Sequence, residues 1–139
     1  MECTVKWVDG MTFLAETGTG HVLAMDGAPE AGGRNLAPRP MELLLAGAGG
    51  CTAFDIVLIL KRGRQDVRDC QVRLSAERAA ADPKVFTRIA FTYTVKGKGL
   101  KPDAVERAIH LSAEKYCSAS IMLGKTAEIT HEWEIVEVE

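Results

Sequence analysis

Hydrophobic and polar residues alternate at the start of the chain, with Cys3, Val5 and Trp7 interleaved with Thr4 and Lys6. A period of two is that of a strand. Asp9-Gly10 offers a tight turn, Met11 to Glu16 runs back, and Gly18 to Gly20 turns again into His21 to Met25. Residues 26–39 are rich in Gly, Pro and Ala, carry no period and read as a loop. The pattern then changes. Pro40 suits a first helical turn, Glu42 complements its positive end, and a helix is expected to about Arg62, with Gly63 as its stop. Its apolar residues circle the axis, which predicts burial on most sides.

Alternation resumes in Arg68 to Glu77, where Cys70, Val72, Leu74 and Ala76 share a face, and in Phe86 to Lys96, where Ile89, Phe91, Tyr93 and Val95 do. Asp82-Pro83 marks the hairpin between them. A second helix is expected from Pro102-Asp103 to about Tyr116, burying Val105, Ile109 and Ser112 or Ala113. A last strand carries Ala127, Ile129, His131, Trp133 and Ile135 on one face. Three strands, a helix, two strands, a helix and a strand make an α+β chain with mostly antiparallel sheet. No repeat or linker divides it, so residues 1–139 are expected to form one domain.

Composition narrows the functional classes. With 139 residues and 47% hydrophobic content the chain can build its own core. A formal net charge of −2 gives no global pull toward nucleic acid or an anionic membrane. Lys61, Arg62, Arg64 and Arg68 cluster after the first helix without aromatic interleaving, and read as a solvated face. Met41 to Leu60 is apolar enough to raise a membrane span, but it carries Glu42, Asp55 and three glycines. A charge at mid-span costs about 2.5–3.5 kcal/mol, so no membrane partner is expected. The opening Met1-Glu2-Cys3-Thr4-Val5-Lys6 has no secretory pattern, and a cytoplasmic protein with reduced cysteines is expected.

The candidate chemistry lies in two cysteines. Cys51 sits in Gly-Gly-Cys-Thr-Ala-Phe-Asp on the apolar helix, and Cys117 in Glu-Lys-Tyr-Cys-Ser-Ala-Ser at the end of the second helix. Neither belongs to a Cys-x-x-Cys pair, and His21, His110 and His131 show no metal spacing, so neither a metal nor a bound cofactor is expected. Isolated thiols on separate elements can still meet, one attacking a substrate and the other resolving the product. They can equally be small core residues, which is the reading for Cys70 and Cys3. Gly47 and Ala48 leave space beside Cys51, whereas Asp55, one turn on, disfavours its thiolate. Gly47, Gly49 and Gly50 each cost about 1 kcal/mol against alanine in a helix, which points to a close neighbour. Trp7 and Trp133 read as core or interface anchors, and His131 as a satisfied core histidine.

Pro40-Met41-Glu42-Leu43-Leu44-Leu45 leading to Gly50-Cys51, with Lys115-Tyr116-Cys117-Ser118 and Ala127-Glu128-Ile129-Thr130, resembles the OsmC/Ohr family over nearly the whole chain. The opening Val5-Lys6-Trp7-Val8 and the segment Arg64-Gln65-Asp66-Val67 are most similar to its YhfA-like branch. The resemblance implies an OsmC-like α+β fold, with mostly antiparallel sheets around a long buried central helix, in an intertwined homodimer. It implies a site at each end of the shared interface. There Cys51 would be the peroxidatic and Cys117 the resolving cysteine of a thiol-dependent reduction of organic hydroperoxides, with an external dithiol as reductant. In the peroxidase branches a glutamate follows the helix-start proline and holds an arginine against the thiolate. Here Met41 has that place and Glu42 stands one residue later, turned by about 100 degrees. Arg34 is the candidate arginine. The alternative is a non-catalytic small-molecule-binding or redox-sensing protein with an apolar site at the dimer interface, which Met41 and Asp55 favour.

Overall fold

The computed structural model describes all 139 residues. Six strands and three α-helices follow the expected order with one addition: β1 Cys3–Asp9, β2 Thr12–Thr17, β3 Val22–Met25, α1 Pro40–Arg62, β4 Asp66–Arg78, β5 Phe86–Lys98, α2 Pro102–Leu111, α3 Ser118–Leu123 and β6 Glu128–Glu137. A π-helical turn, Ser112–Tyr116, joins α2 to α3, where a single continuous helix to Tyr116 was expected. The chain forms two compact units, Met1–Ala46 and Gly47–Glu139, and the boundary falls inside α1.

In the first unit β1, β2 and β3 form an antiparallel meander. All seven residues of β1 are exposed, so Cys3 is a surface thiol and not the small core residue expected. Alternation specifies a strand, but not whether anything covers either of its faces. Trp7 is likewise exposed, its indole N–H donating to the Gly10 carbonyl at 2.8 Å. The loop after β3 is organised by Asp26, which is buried and accepts backbone N–H bonds from Gly27 (2.8 Å), Leu36 (3.1 Å) and Arg34 (3.2 Å). Gly27 and Gly33 approach so closely that a Cβ on Gly33 would lie 1.8 Å from the Gly27 carbonyl oxygen.

In the second unit β4 and β5 are antiparallel, whereas β5 and β6 are parallel. Parallel neighbours need a long crossover, supplied here by α2, the π turn and α3. Three of the four strand pairings are antiparallel, so the sheets are mostly so. Register stacks one inward face in rows: Ala76–Ile89–Ile129, Leu74–Phe91–His131, Val72–Tyr93–Trp133 and Cys70–Val95–Ile135. Ile89, Phe91, Tyr93 and Val95 in the central strand are fully buried, each side chain of this kind contributing about 1.5–3 kcal/mol.

Helix α1 buries one stripe and not most of its circumference. Ala48, Thr52, Ile56 and Leu60 recur every four residues, with Gly49 beside them, and are buried. Leu44 and Phe54 are 50% and 67% exposed. The sequence reports how apolar the helix is, but not what covers it. The glycines divide in the same way. A Cβ on Gly49 would lie 2.7 Å from Leu74 Cδ1, so β4 is its close neighbour, whereas Gly47 and Gly50 have open space beside them. At the C-terminus Arg64, not Gly63, takes the left-handed conformation (φ 57°), and the N–H groups of Gln65 and Arg64 close the helix onto Leu60 and Lys61.

Candidate active site

Both sequence-selected cysteines lie in the second unit and meet there. Cys51 and Asp55 stand one turn apart on α1, and Cys117 is the N-cap of α3. The two Sγ atoms and an Asp55 carboxylate oxygen all lie within 4.8 Å of one another. All four cysteines are free thiols. Cys51 is half-buried, while Cys117, expected at a helix end, is fully buried. Burial follows from the π turn, which carries the Cys117 N–H onto the Ser112 carbonyl at 2.8 Å and turns the chain inward before α3 begins.

Polar side chains that the sequence analysis left unassigned build the surroundings. Ser112 Oγ donates to Asp55 Oδ2 at 2.9 Å. The Ser120 backbone N–H donates to Cys117 Sγ at 3.4 Å. Thr52 Oγ1 donates to the Ala48 carbonyl at 2.8 Å and lies 3.4 Å from Cys117 Sγ. Having one proton, Thr52 accepts from the Cys117 thiol in this arrangement, or turns to donate to a thiolate. Thr52, Ser112 and Ser120 are all buried, and no buried side-chain nitrogen or oxygen lacks a partner. A polar residue on an otherwise buried stripe is the signal that could have found two of them: Thr52 among the apolar positions of α1, and Ser112 continuing the inward stripe of Val105 and Ile109 into the π turn.

The two thiols sit in unlike electrostatic settings. Burial raises the Cys51 thiol above its ordinary value, and neighbouring Cys117 and the Asp55 carboxylate push it in the same direction. Burial alone would raise Cys117 too, but hydrogen bonds from Ser120 and Thr52 outweigh it and hold this thiol below its ordinary value.

The supporting residues named from the sequence divide between the units. Asp55 belongs to the cysteine cluster. Glu42 occupies the third position of α1 and reaches back to the Arg39 N–H at 3.0 Å and to its guanidinium at 3.5 Å, as a capping residue does. Arg34 lies 3.5 Å from both Asp9 and Thr12 in the first unit. His131 accepts or donates at 2.7 Å with the Tyr93 hydroxyl and is the satisfied inward histidine expected. A cleft of about 510 Å³ lies against α3, lined by residues including His110, Ser120, Ile121, His131 and Trp133, and neither cysteine borders it.

The sequence profile described as "OsmC-like protein" matches residues 32–132, which include both cysteine motifs and Asp55. Protein YhfA of Escherichia coli K12 is 52% identical over 136 residues, covering 98% of each chain. The chain belongs to the OsmC family. Solved structures agree with this assignment. A hypothetical protein from Aquifex aeolicus VF5 is 31% identical and superimposes with a TM-score of 0.87 over 99% of this chain and 97% of its own. An organic hydroperoxide resistance protein OsmC from Legionella pneumophila, 19% identical, shares the fold at a TM-score of 0.69, over 96% and 97% of the two chains. By length and composition α1 of this OsmC-family chain is a helix that can cross a membrane. Here its buried stripe packs in a small folded unit, against Leu74 and the Cys117 segment.

Proposed function

We propose that this OsmC-family protein reduces organic hydroperoxides, or related electrophiles, with Cys51 as the attacking and Cys117 as the resolving cysteine. The observation that carries the reading is the placement of two free sulfurs within 4.8 Å, one half-exposed and one buried behind it. A disulfide needs an S–S distance of about 2.05 Å, so the two sulfurs must move together to close it. The Cys51 thiolate attacks the distal peroxide oxygen; the O–O bond breaks, the alcohol leaves with a proton, and Cys51 becomes a sulfenic acid. The Cys117 thiolate then attacks that sulfur, expelling water after protonation and closing the disulfide. An external dithiol returns both electrons. Depression of the Cys117 thiol suits the second step, because a resolving sulfur acts as a thiolate. The names of solved relatives such as the Legionella pneumophila protein support the substrate class. A cytoplasmic homodimer is part of the reading, and the exposed Leu44 and Phe54 of α1 support the dimer.

One observation favours a second reading, a non-catalytic binding or redox-sensing protein: Asp55 and burial both disfavour the Cys51 thiolate on which the first step depends. The deciding measurement is intact mass and free-thiol count after one equivalent of an organic hydroperoxide, with hydrogen peroxide in parallel. The peroxidase reading expects loss of two thiols, mapped to Cys51 and Cys117 and faster with the organic oxidant. It also expects a sulfenic acid that persists on Cys51 in Cys117→Ser. Thiols that survive the dose, with peroxide consumption equal in Cys51→Ser, leave the binding reading.

A further inference from the structure

We propose that Cys51, Asp55 and Cys117 form a three-ligand site for a d10 divalent metal ion, with Zn²⁺ or Cd²⁺ as the chemical class. The proposal rests on the cluster's geometry and does not depend on hydroperoxide chemistry. The three donor atoms lie within 4.8 Å of one another before any ion is present. A tetrahedral zinc with Zn–S of about 2.3 Å and Zn–O of about 2.0–2.2 Å holds its ligand atoms about 3.5–3.8 Å apart. Closing that gap takes shifts on the order of an ångström.

The placement of the donors has the features of a built centre. Cys51 and Asp55 project from one face of α1 at a spacing of four, the spacing by which a single helix presents two ligands to one ion. Cys117 supplies the third from a separate element, fixed by the π turn and by the Ser120 N–H. Ser112 Oγ occupies Asp55 Oδ2 and leaves the other carboxylate oxygen for a cation, an outer hydrogen bond of the sort that orients ligands. Half-burial of Cys51 leaves one side of the cluster open for a fourth ligand, a water or an exogenous thiol. Two sulfurs and one carboxylate select a soft or borderline ion over Mg²⁺ or Ca²⁺. The Asp55 carboxylate repels a thiolate but attracts a dication, so a metal gives this residue a purpose that peroxide attack does not.

Binding releases the two thiol protons, forms two S–metal bonds and one O–metal bond, and transfers no electrons. A Cys51–Cys117 disulfide removes both sulfur donors, so oxidation and metal binding exclude each other.

The test titrates reduced full-length protein anaerobically with Zn²⁺ against a chromophoric chelator, and with Cd²⁺ while following the thiolate-to-cadmium charge-transfer band. One ion per chain is expected, with a band intensity for two thiolates. That band falls to about half in Cys51→Ser and in Cys117→Ser and stays unchanged in Cys70→Ser. Ser112→Ala weakens affinity about 10–100-fold, the range for a lost orienting partner, and Asp55→Asn weakens it at least as much. Absence of stoichiometric binding overturns the proposal, and so does binding that survives both cysteine substitutions. Affinity unchanged in Asp55→Asn, folded by circular dichroism, removes Asp55 from the site and overturns the three-ligand assignment. A protein that consumes no hydroperoxide but binds the ion on these residues refutes the peroxidase reading and leaves this one standing.

Discussion

The two units of this chain use sheets of three strands each in opposite ways. In Met1–Ala46 the meander is open, with every residue of β1 exposed, and order in the following loop comes from polar bonds to one buried carboxylate. In Gly47–Glu139 the sheet has a continuous inward face whose central strand is sealed, and polar groups are confined to the cysteine cluster and the Tyr93–His131 pair. One unit is held mainly by hydrogen bonding and backbone fit, the other by packing. The two candidate cysteines sit in the packed unit, where fixed neighbours hold their sulfurs within 4.8 Å of each other.

The contrast is sharpest for truncation of the inward face. Phe91→Ala is expected to cost about 3–5 kcal/mol in urea denaturation, because Phe91 is 1% exposed between Leu74 and His131. The matched change Leu14→Ala, at a 40% exposed position of β2, should cost less than about 1 kcal/mol. Equal losses would erase the distinction between the units.

A backbone change should reverse the order. Gly33→Ala places a Cβ within 1.8 Å of the Gly27 carbonyl oxygen, and since a backbone atom cannot yield as a side chain does, a loss of about 1–3 kcal/mol is expected. Gly50→Ala, with open space in the packed unit, should instead gain up to about 1 kcal/mol from helix propensity. Thermal melts of both variants check the pair.

Acid should act on the first unit through Asp26. The Leu36 N–H, together with those of Gly27 and Arg34, holds its carboxyl below the ordinary value against the opposing effect of burial. A depressed carboxyl stabilises the fold above its unfolded value, about 3.9, and that contribution is lost as pH falls through the lower folded value. Stability of the wild type is therefore expected to fall on acidification below about pH 4, and Asp26→Asn should flatten that fall while lowering stability at neutral pH. Parallel pH–denaturation series test it; an unchanged slope in the variant would refute the assignment.

The smallest effect lies at the end of α1, where Arg64 holds φ 57°. Replacing it with glycine should stabilise by about 1 kcal/mol, the cost of a left-handed conformation for a residue with a Cβ. A shift in denaturation midpoint without a change in slope is the expected signature.

The sequence by itself determined the order of strands and helices and the α+β class, and it singled out the two cysteines as candidates, because periods of two and of 3.6 and the Pro, Gly and Asp signals act over neighbouring residues. Val105, Ile109 and Ser112 are buried as their spacing predicts. It did not reveal the π turn and α3, since Ser112–Leu123 carries no proline or glycine to mark the break. Nor did it reveal that β6 runs parallel to β5, a choice made by the crossover and not by either strand. The nearness of Cys51, Asp55 and Cys117, the Ser112 bond to Asp55, and the hydrogen bonds by which Thr52 and Ser120 set the two sulfurs apart were decided only in three dimensions. A side chain's identity is local, whereas its pKa, exposure and partners depend also on residues more than fifty positions away, as Thr52 and Cys117 or Asp55 and Ser112 are, which only folding brings to it.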